Sequence, residues 1–385
     1  LRVSWAGAIV LAATVLATVA CTRIARPEGW AGPVQTDSIL LATLDAGELT
    51  AIDLQAGRPL WTFPPAELDL NLEGIYGDPL VVEGTLYFGA YSGDFFALDA
   101  TSSAVLWRFE ANGSIIGGAA LAGDSILVGS ADGNLYALDA AAGGPRWTFK
   151  ADDAIWSTPV VSEGIVYITS MGGNVYALDA KTGAETWDEP FGAGSAIAST
   201  PTVAQGLVIA GAFDSTLYAL DTADGSEVWS FKGGNWFWGQ PLVDGDTVYA
   251  ADLNGRVYAV DLGDGSARWP RPFQALAPIR AAPVLAEGVL VLADRDGNVY
   301  GLDPTNGEEV WSFSLGADVL ADLRVADFDG DTVVYVSTRD GDIERVSPAA
   351  GSHTSVTARF LPATPVEASP TAAGEETPAP ATPTP

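Results

Sequence analysis

Asp327, Asp329 and Asp331 stand on alternate residues, separated by Phe328 and Gly330. Three carboxylates at that spacing can converge on a hard cation such as calcium. The stretch lacks a further glycine and a later bidentate acid, so a plain Asp-Gly hairpin competes with the metal reading. Little else is equipped for catalysis. One histidine and one cysteine exclude Cys-His nucleophilic pairs, multi-histidine zinc sites and cysteine clusters. Paired carboxylates for glycoside hydrolysis cannot be singled out among 49 acidic residues. His353 has no candidate partner in the sequence and reads as a surface side chain.

A second set of residues is suited to binding. Trp30, Tyr76, Ile116, Trp156, Ala198, Trp238, Arg280 and Leu320 occupy one equivalent position in eight successive repeats, three residues before a proline or its counterpart. Tyr, Trp and Arg dominate binding hot spots. Trp30, Tyr76, Trp156, Trp238 and Arg280, with Trp236 from the run Asn235-Trp236-Phe237-Trp238, are therefore expected to ring a channel mouth and contact a partner or a sugar. The competing reading packs these rings against neighbouring loops.

The elements that must position them follow from self-similarity. Asp53, Asp99, Asp139, Asp179, Asp221, Asp261 and Asp303 are each followed eight residues later by a tryptophan: Trp61, Trp107, Trp147, Trp187, Trp229, Trp269 and Trp311. Successive copies lie 46, 40, 40, 42, 40 and 42 residues apart, and a degenerate eighth places Ser347 and Ser355 at these positions. Within each unit, runs such as STPVV, IVYITS, NVYALD and a fourth around ETW read as four short strands bounded by turn residues. Asp132-Gly133, Asp296-Gly297 and Asp340-Gly341 read as tight hairpin turns. Units of this length and content define an all-β, eight-bladed β-propeller with four antiparallel strands per blade, spanning residues 30–360. The Asp caps its turn, a Gly four residues later takes a left-handed conformation, and the Trp wedges against the next blade. In the second unit Ser103 replaces that Gly. Blade 8 lacks the Trp, so its seam with blade 1 is expected to be weaker, or closed by Phe360 and its neighbours.

The chain has 385 residues with 18 basic and 49 acidic side chains, a net charge of −31. That excess argues against nucleic acid and anionic lipid headgroups as partners. Residues 1–20 read as a lipoprotein signal peptide ending at Cys21, whose context Thr18-Val19-Ala20-Cys21 resembles the bacterial lipobox; an apolar anchor with an incidental cysteine is the competing reading. Residues 21–29 then form a tether from the lipidated Cys21. Residues 361–385 are Pro/Thr-rich and are expected to be a disordered tail.

The Ala-x-Asp-x-x-x-Gly-x-x-x-Trp motif, kept at one spacing in seven copies, resembles the tryptophan-docking motif of pyrroloquinoline-quinone (PQQ)-type propellers. That family includes quinoprotein alcohol and glucose dehydrogenases and non-enzymatic, lipid-anchored scaffolds, the BamB-like outer-membrane assembly lipoproteins. The dehydrogenase branch uses a disulfide between adjacent cysteines, a quinone-bound calcium and a catalytic aspartate; a chain with Cys21 alone cannot form that disulfide. The resemblance thus implies a monomeric, non-catalytic scaffold without a cofactor, exported and lipid-anchored in the bacterial cell envelope, with envelope or outer-membrane proteins as partners. A carbohydrate- or ligand-binding surface lipoprotein is the alternative, and a PQQ-dependent dehydrogenase comes third.

Overall fold

The computed structural model of the chain describes residues 29–44 and 47–357. The stretches read above as signal peptide and tail, Cys21, Phe360 and all of the expected tether but Gly29 lie outside these residues. Eight four-stranded antiparallel sheets follow one another, at 34–63, 80–110, 119–150, 160–192, 202–232, 242–274, 284–314 and 324–355. We number them blades 1 to 8. Each is built from consecutive strands, so among the described residues no strand from one chain end completes the blade of the other.

The two middle strands of each blade lie between neighbouring blades and are buried on both faces. Asn134–Asp139 (NLYALD) accordingly has four fully buried residues in a row rather than an alternation. The outer strand Pro145–Lys150 has one face in solvent and alternates. The innermost strand is shorter than STPVV suggests: in blade 4 it spans Val160–Ser162. Pro159 has no N–H for a ladder bond, and the buried Ser157 hydroxyl bonds Thr169 N and O at 3.2 Å each instead.

The turns also differ from the sequence reading. Gly133, Gly297 and Gly341 have positive φ, but the aspartates before them do not. Residues 130–133 form a four-residue loop closed by Gly133 N–H to Ser130 O at 3.0 Å. The two-residue turns with positive φ at both positions join the first and second strands, as at Glu163-Gly164 (52° and 83°) and Asp329-Gly330 (53° and 89°).

The outer strands of blades 4 and 6 do not run through the tryptophan. They are Phe191–Gly192 and Phe273–Gln274. Asp188-Glu189-Pro190 and Pro270-Arg271-Pro272 stand where other blades have one residue between Trp and Phe. The two extra residues bulge out, and the phenylalanine still pairs in register, Phe191 with Val175 and Phe273 with Val257, as Phe149 pairs with Leu135. These insertions account for the two 42-residue periods.

Every seam that carries a tryptophan is built alike. Each indole N–H donates to the carbonyl one residue past the aspartate position of the next blade: Trp61 to Ala100 (3.2 Å), Trp107 to Ala140 (2.9 Å), Trp147 to Ala180 (3.2 Å), Trp187 to Thr222 (3.0 Å), Trp229 to Leu262 (2.7 Å), Trp269 to Pro304 (2.9 Å) and Trp311 to Pro348 (2.8 Å). The phenylalanine two or four residues beyond Trp packs on a tyrosine of the following blade, as in Phe149–Tyr176 and Phe273–Tyr300, both 5.2 Å between ring centres, except that Phe63 of blade 1 meets Phe96, also at 5.2 Å. Blade 8 varies the theme: Phe313 stacks on His353 at 4.3 Å, and His353 Nδ1 lies 3.0 Å from Glu344. His353 therefore has two partners that the sequence did not disclose, because both come from other strands.

The seam between blades 8 and 1 is packed by Leu40, Ala42, Ile52 and Leu54 against Val333, Tyr335 and Ile343. Arg345 lies over Phe328 at 3.8 Å, and Gln35 Nε2 donates to Asp327 O at 2.6 Å.

Candidate binding site at the channel mouth

The chain enters each blade through a loop that crosses one face of the ring and turns down into the innermost strand. In blades 2 to 8 one buried apolar anchor per loop, such as Ile155, Phe237 or Ile279, pins this turn, so the next residue faces the axis; Gly29 precedes Trp30 in blade 1. The eight residues picked out by the repeats all line one axial cavity of about 120 Å³.

Two residues further on, a partial polar girdle links blades 1 to 2, 3 to 4, 4 to 5 and 7 to 8. Gly32 N–H donates to Asp78 Oδ1 (2.5 Å), Gly118 N–H to Thr158 Oγ1 (2.8 Å), Thr158 N–H to Thr200 Oγ1 (3.1 Å) and Ala282 N–H to Asp322 Oδ1 (2.7 Å). Arg324 of blade 8 pairs with Asp78 of blade 2, reaching past blade 1. Burial holds the Arg324 guanidinium below its ordinary pKa and pushes the Asp322 carboxyl up, the Ala282 N–H opposing the latter shift. The spacing that located the ring would have located this girdle too, but small and polar residues gave no reason to look.

The aromatic residues divide. Trp30 and Tyr76 pack edge to face at 4.4 Å, and Tyr76 lies 5.4 Å from Tyr91. Trp156 is half-buried in the wall, with its indole N–H buried and unbonded among the described residues. On the other side Phe213, absent from the sequence candidates, is sandwiched between Trp236 (4.5 Å, 7°) and Trp238 (5.5 Å, 19°). Arg280 lies over the Trp238 ring with its guanidinium 4.8 Å from the ring centre. Trp236 stands outside the cavity at 44% exposure. Phe213 was missed because only its fold position, in the hairpin loop beside the mouth, brings it between residues 236 and 238.

The acidic stretch lies elsewhere. Asp329 and Gly330 form a two-residue hairpin turn at the end of blade 8 opposite the mouth. Among the described residues, no three acidic, histidine or cysteine side chains gather as a metal site requires. Asp327, Asp329 and Asp331 thus do not converge: their positions along the hairpin hold them apart. Nor does the mouth fit PQQ. Its volume suits a small polar group or a few waters, below the 300 Å³ or so of an ordinary ligand pocket.

Ring, seams and repeat together define an eight-bladed propeller of the PQQ-like repeat type. The family model described as outer membrane protein assembly factor BamB matches residues 14–149, 92–190, 132–280 and 273–373, and the chain belongs to that family. Among curated relatives, the outer membrane protein assembly factor BamB of Pseudomonas aeruginosa is 34% identical over 89 residues, 22% of this chain and 23% of the relative. That of Xanthomonas campestris pv. campestris is 29% identical over 103 residues, 25% of each. The chain thus aligns with about a quarter of the length of these relatives. Among solved structures, BamB from Moraxella catarrhalis superposes with TM-score 0.67 at 21% identity, covering 81% of this chain and 94% of that one. The designed protein Ika8 reaches 0.68 at 17% identity, covering 82% and 95%. Quinohemoprotein alcohol dehydrogenase ADHIIG from Pseudomonas putida HK5 reaches 0.66 at 14%, covering 81% and 70%. At these identities the likeness is one of fold, shared by an assembly factor, a designed ring and an enzyme alike.

Proposed function

We propose that this protein is a non-catalytic scaffold of the bacterial cell envelope, acting in outer-membrane protein assembly as the BamB factors do, with an envelope or outer-membrane protein as its partner. The observation that carries the reading is the family match, which runs through all eight blades. The longest link between blades, residues 64–79, is too short for an added catalytic domain. The reading includes export and a lipid anchor at Cys21.

The blade rims indicate how a partner would dock. Leu60, Leu106, Val228 and Val310 are exposed apolar residues immediately before the docking tryptophans of blades 1, 2, 5 and 7. Their strands are outer edges whose unpaired backbone can accept an added strand. In blades 4 and 6 the bulges with Pro190, Pro270 and Pro272 break that edge, which protects it from pairing. Docking by strand addition is therefore expected on the regular edges.

The test is crosslinking of the full chain in its native envelope, followed by mass spectrometry, with wild type beside Leu106→Lys and Val310→Lys. A stoichiometric outer-membrane assembly protein captured by wild type and lost in one edge variant is the expected result. Absence of any such partner from the wild-type sample overturns the reading.

A further inference from the structure

The channel mouth holds an unneutralised cation in a strongly acidic protein. Arg280 has no carboxylate within ion-pair distance among the described residues; its contact is the face of Trp238. Arg295 lies nearby but is itself paired with Asp296 at 3.3 Å. The carboxylates that line the same cavity are engaged, Asp78 by Arg324 and Gly32 N–H, and Asp322 by Ala282 N–H. The remaining wall includes the Gln240 amide, which donates to Pro201 O at 3.3 Å, and the half-buried Trp156, whose indole N–H is buried and unbonded among the described residues. The Arg280 guanidinium lies over the Trp238 face at 4.8 Å, and its N–H groups are of the kind that take a carboxylate bidentately. The cavity admits one such group and little more.

The rest of the ligand must lie on the surrounding face. There Trp236 and Tyr91 are exposed on opposite sides of the mouth, at 44% and 38%. The backbone nearby is already satisfied: Phe213 N–H bonds Ala196 O at 2.9 Å, and Leu253 N–H bonds Trp236 O at 3.0 Å. A peptide would find no edge to extend. Flat aromatic faces beside side-chain donors instead match the C–H faces and hydroxyls of a sugar.

We infer that the channel mouth binds an acidic oligosaccharide, one uronic-acid carboxylate seated on Arg280 and a neighbouring sugar unit stacked on Trp236. This ligand site is additional to the scaffold reading and does not depend on it.

Calorimetric titration of the purified full chain tests it without any envelope partner present. The probes are an oligogalacturonate, the neutral galactose oligomer of equal length and an oligoglutamate peptide. The oligogalacturonate is expected to bind about tenfold or more tightly than either of the others. Arg280→Gln should abolish that preference in a protein that stays folded, the lost Trp238 contact lowering the thermal midpoint only slightly, and Trp236→Ala should weaken both sugars about tenfold. Binding unchanged by Arg280→Gln, equal affinity for the neutral oligomer, equal or tighter binding of the peptide, or no binding at all each overturns the inference.

Discussion

The Trp107 indole lies flat on Gly143 of the next blade, so close that a Cβ there would sit 2.6 Å from two ring carbons. The same contact recurs at Gly183, Gly225, Gly265, Gly307 and Gly351. The glycine is thus required twice, by its positive φ and by the ring above it. Gly143→Ala should destabilise the ring by about 2–4 kcal/mol through strain and displaced packing. Blade 2 supplies the converse. Ser103 holds φ 58° at the equivalent place, and Ser103→Gly should raise stability by about 0.5–1 kcal/mol. Chemical denaturation of both variants reads the two signs; a stabilised Gly143→Ala would be incompatible with the docked geometry.

The indole N–H adds a directional component to each seam. Trp229 donates to Leu262 O over 2.7 Å and is buried. Trp229→Phe deletes that bond and leaves a small void, and should cost about 2–3 kcal/mol. Equilibrium unfolding should resolve the loss, and a change below about 0.5 kcal/mol would show the bond to be incidental.

The seam between blades 8 and 1 should open first. It has hydrophobic packing without an indole clamp, and the Tyr335 hydroxyl is buried there without a partner among the described residues. Amides of Val333–Val336 are expected to exchange faster than those of Val166–Thr169 in blade 4, measured by hydrogen exchange with mass spectrometry. Tyr335→Phe removes the unsatisfied hydroxyl and should stabilise by about 1 kcal/mol. Burial pushes the Tyr335 pKa up to about 12, so this gain should be the same at pH 6 and pH 9.

Acid should act through the turn aspartates. The hydroxyls and backbone N–H groups of Thr101 and Ser102 hold Asp99 at about 2, well below the ordinary carboxylate value. A depressed folded-state pKa contributes stability that is present above the unfolded value and lost as pH falls through the folded one. The stability advantage of wild type over Asp99→Asn should therefore be constant at neutral pH and shrink between about pH 4 and pH 2. Thermal melts across that window check it; a difference that widened on acidification would have the wrong sign.

How far the sequence reaches can be judged residue by residue. The Asp–Trp spacing located the blades, the turn caps and the ring of eight residues at the mouth, because each is a local pattern repeated at one period. The same spacing held the clue to the bulged outer strands, since both 42-residue periods follow Trp187 and Trp269, yet a fourth strand was expected around ETW itself. Phe213 and His353 carried no signal, as their partners stand on separate strands and their neighbours in sequence are ordinary.

By itself the sequence determined the class of fold, the number of blades and which tryptophans dock. Those properties depend on strand alternation, turn chemistry and contacts between adjacent repeats. Only the tertiary structure decided what meets at the axis and where the ring closes. Gln35 bonds Asp327 across 292 residues, and Arg324 reaches past a whole blade to Asp78. Such contacts leave no period in the sequence, because they exist only where eight separately built sheets converge on one narrow channel.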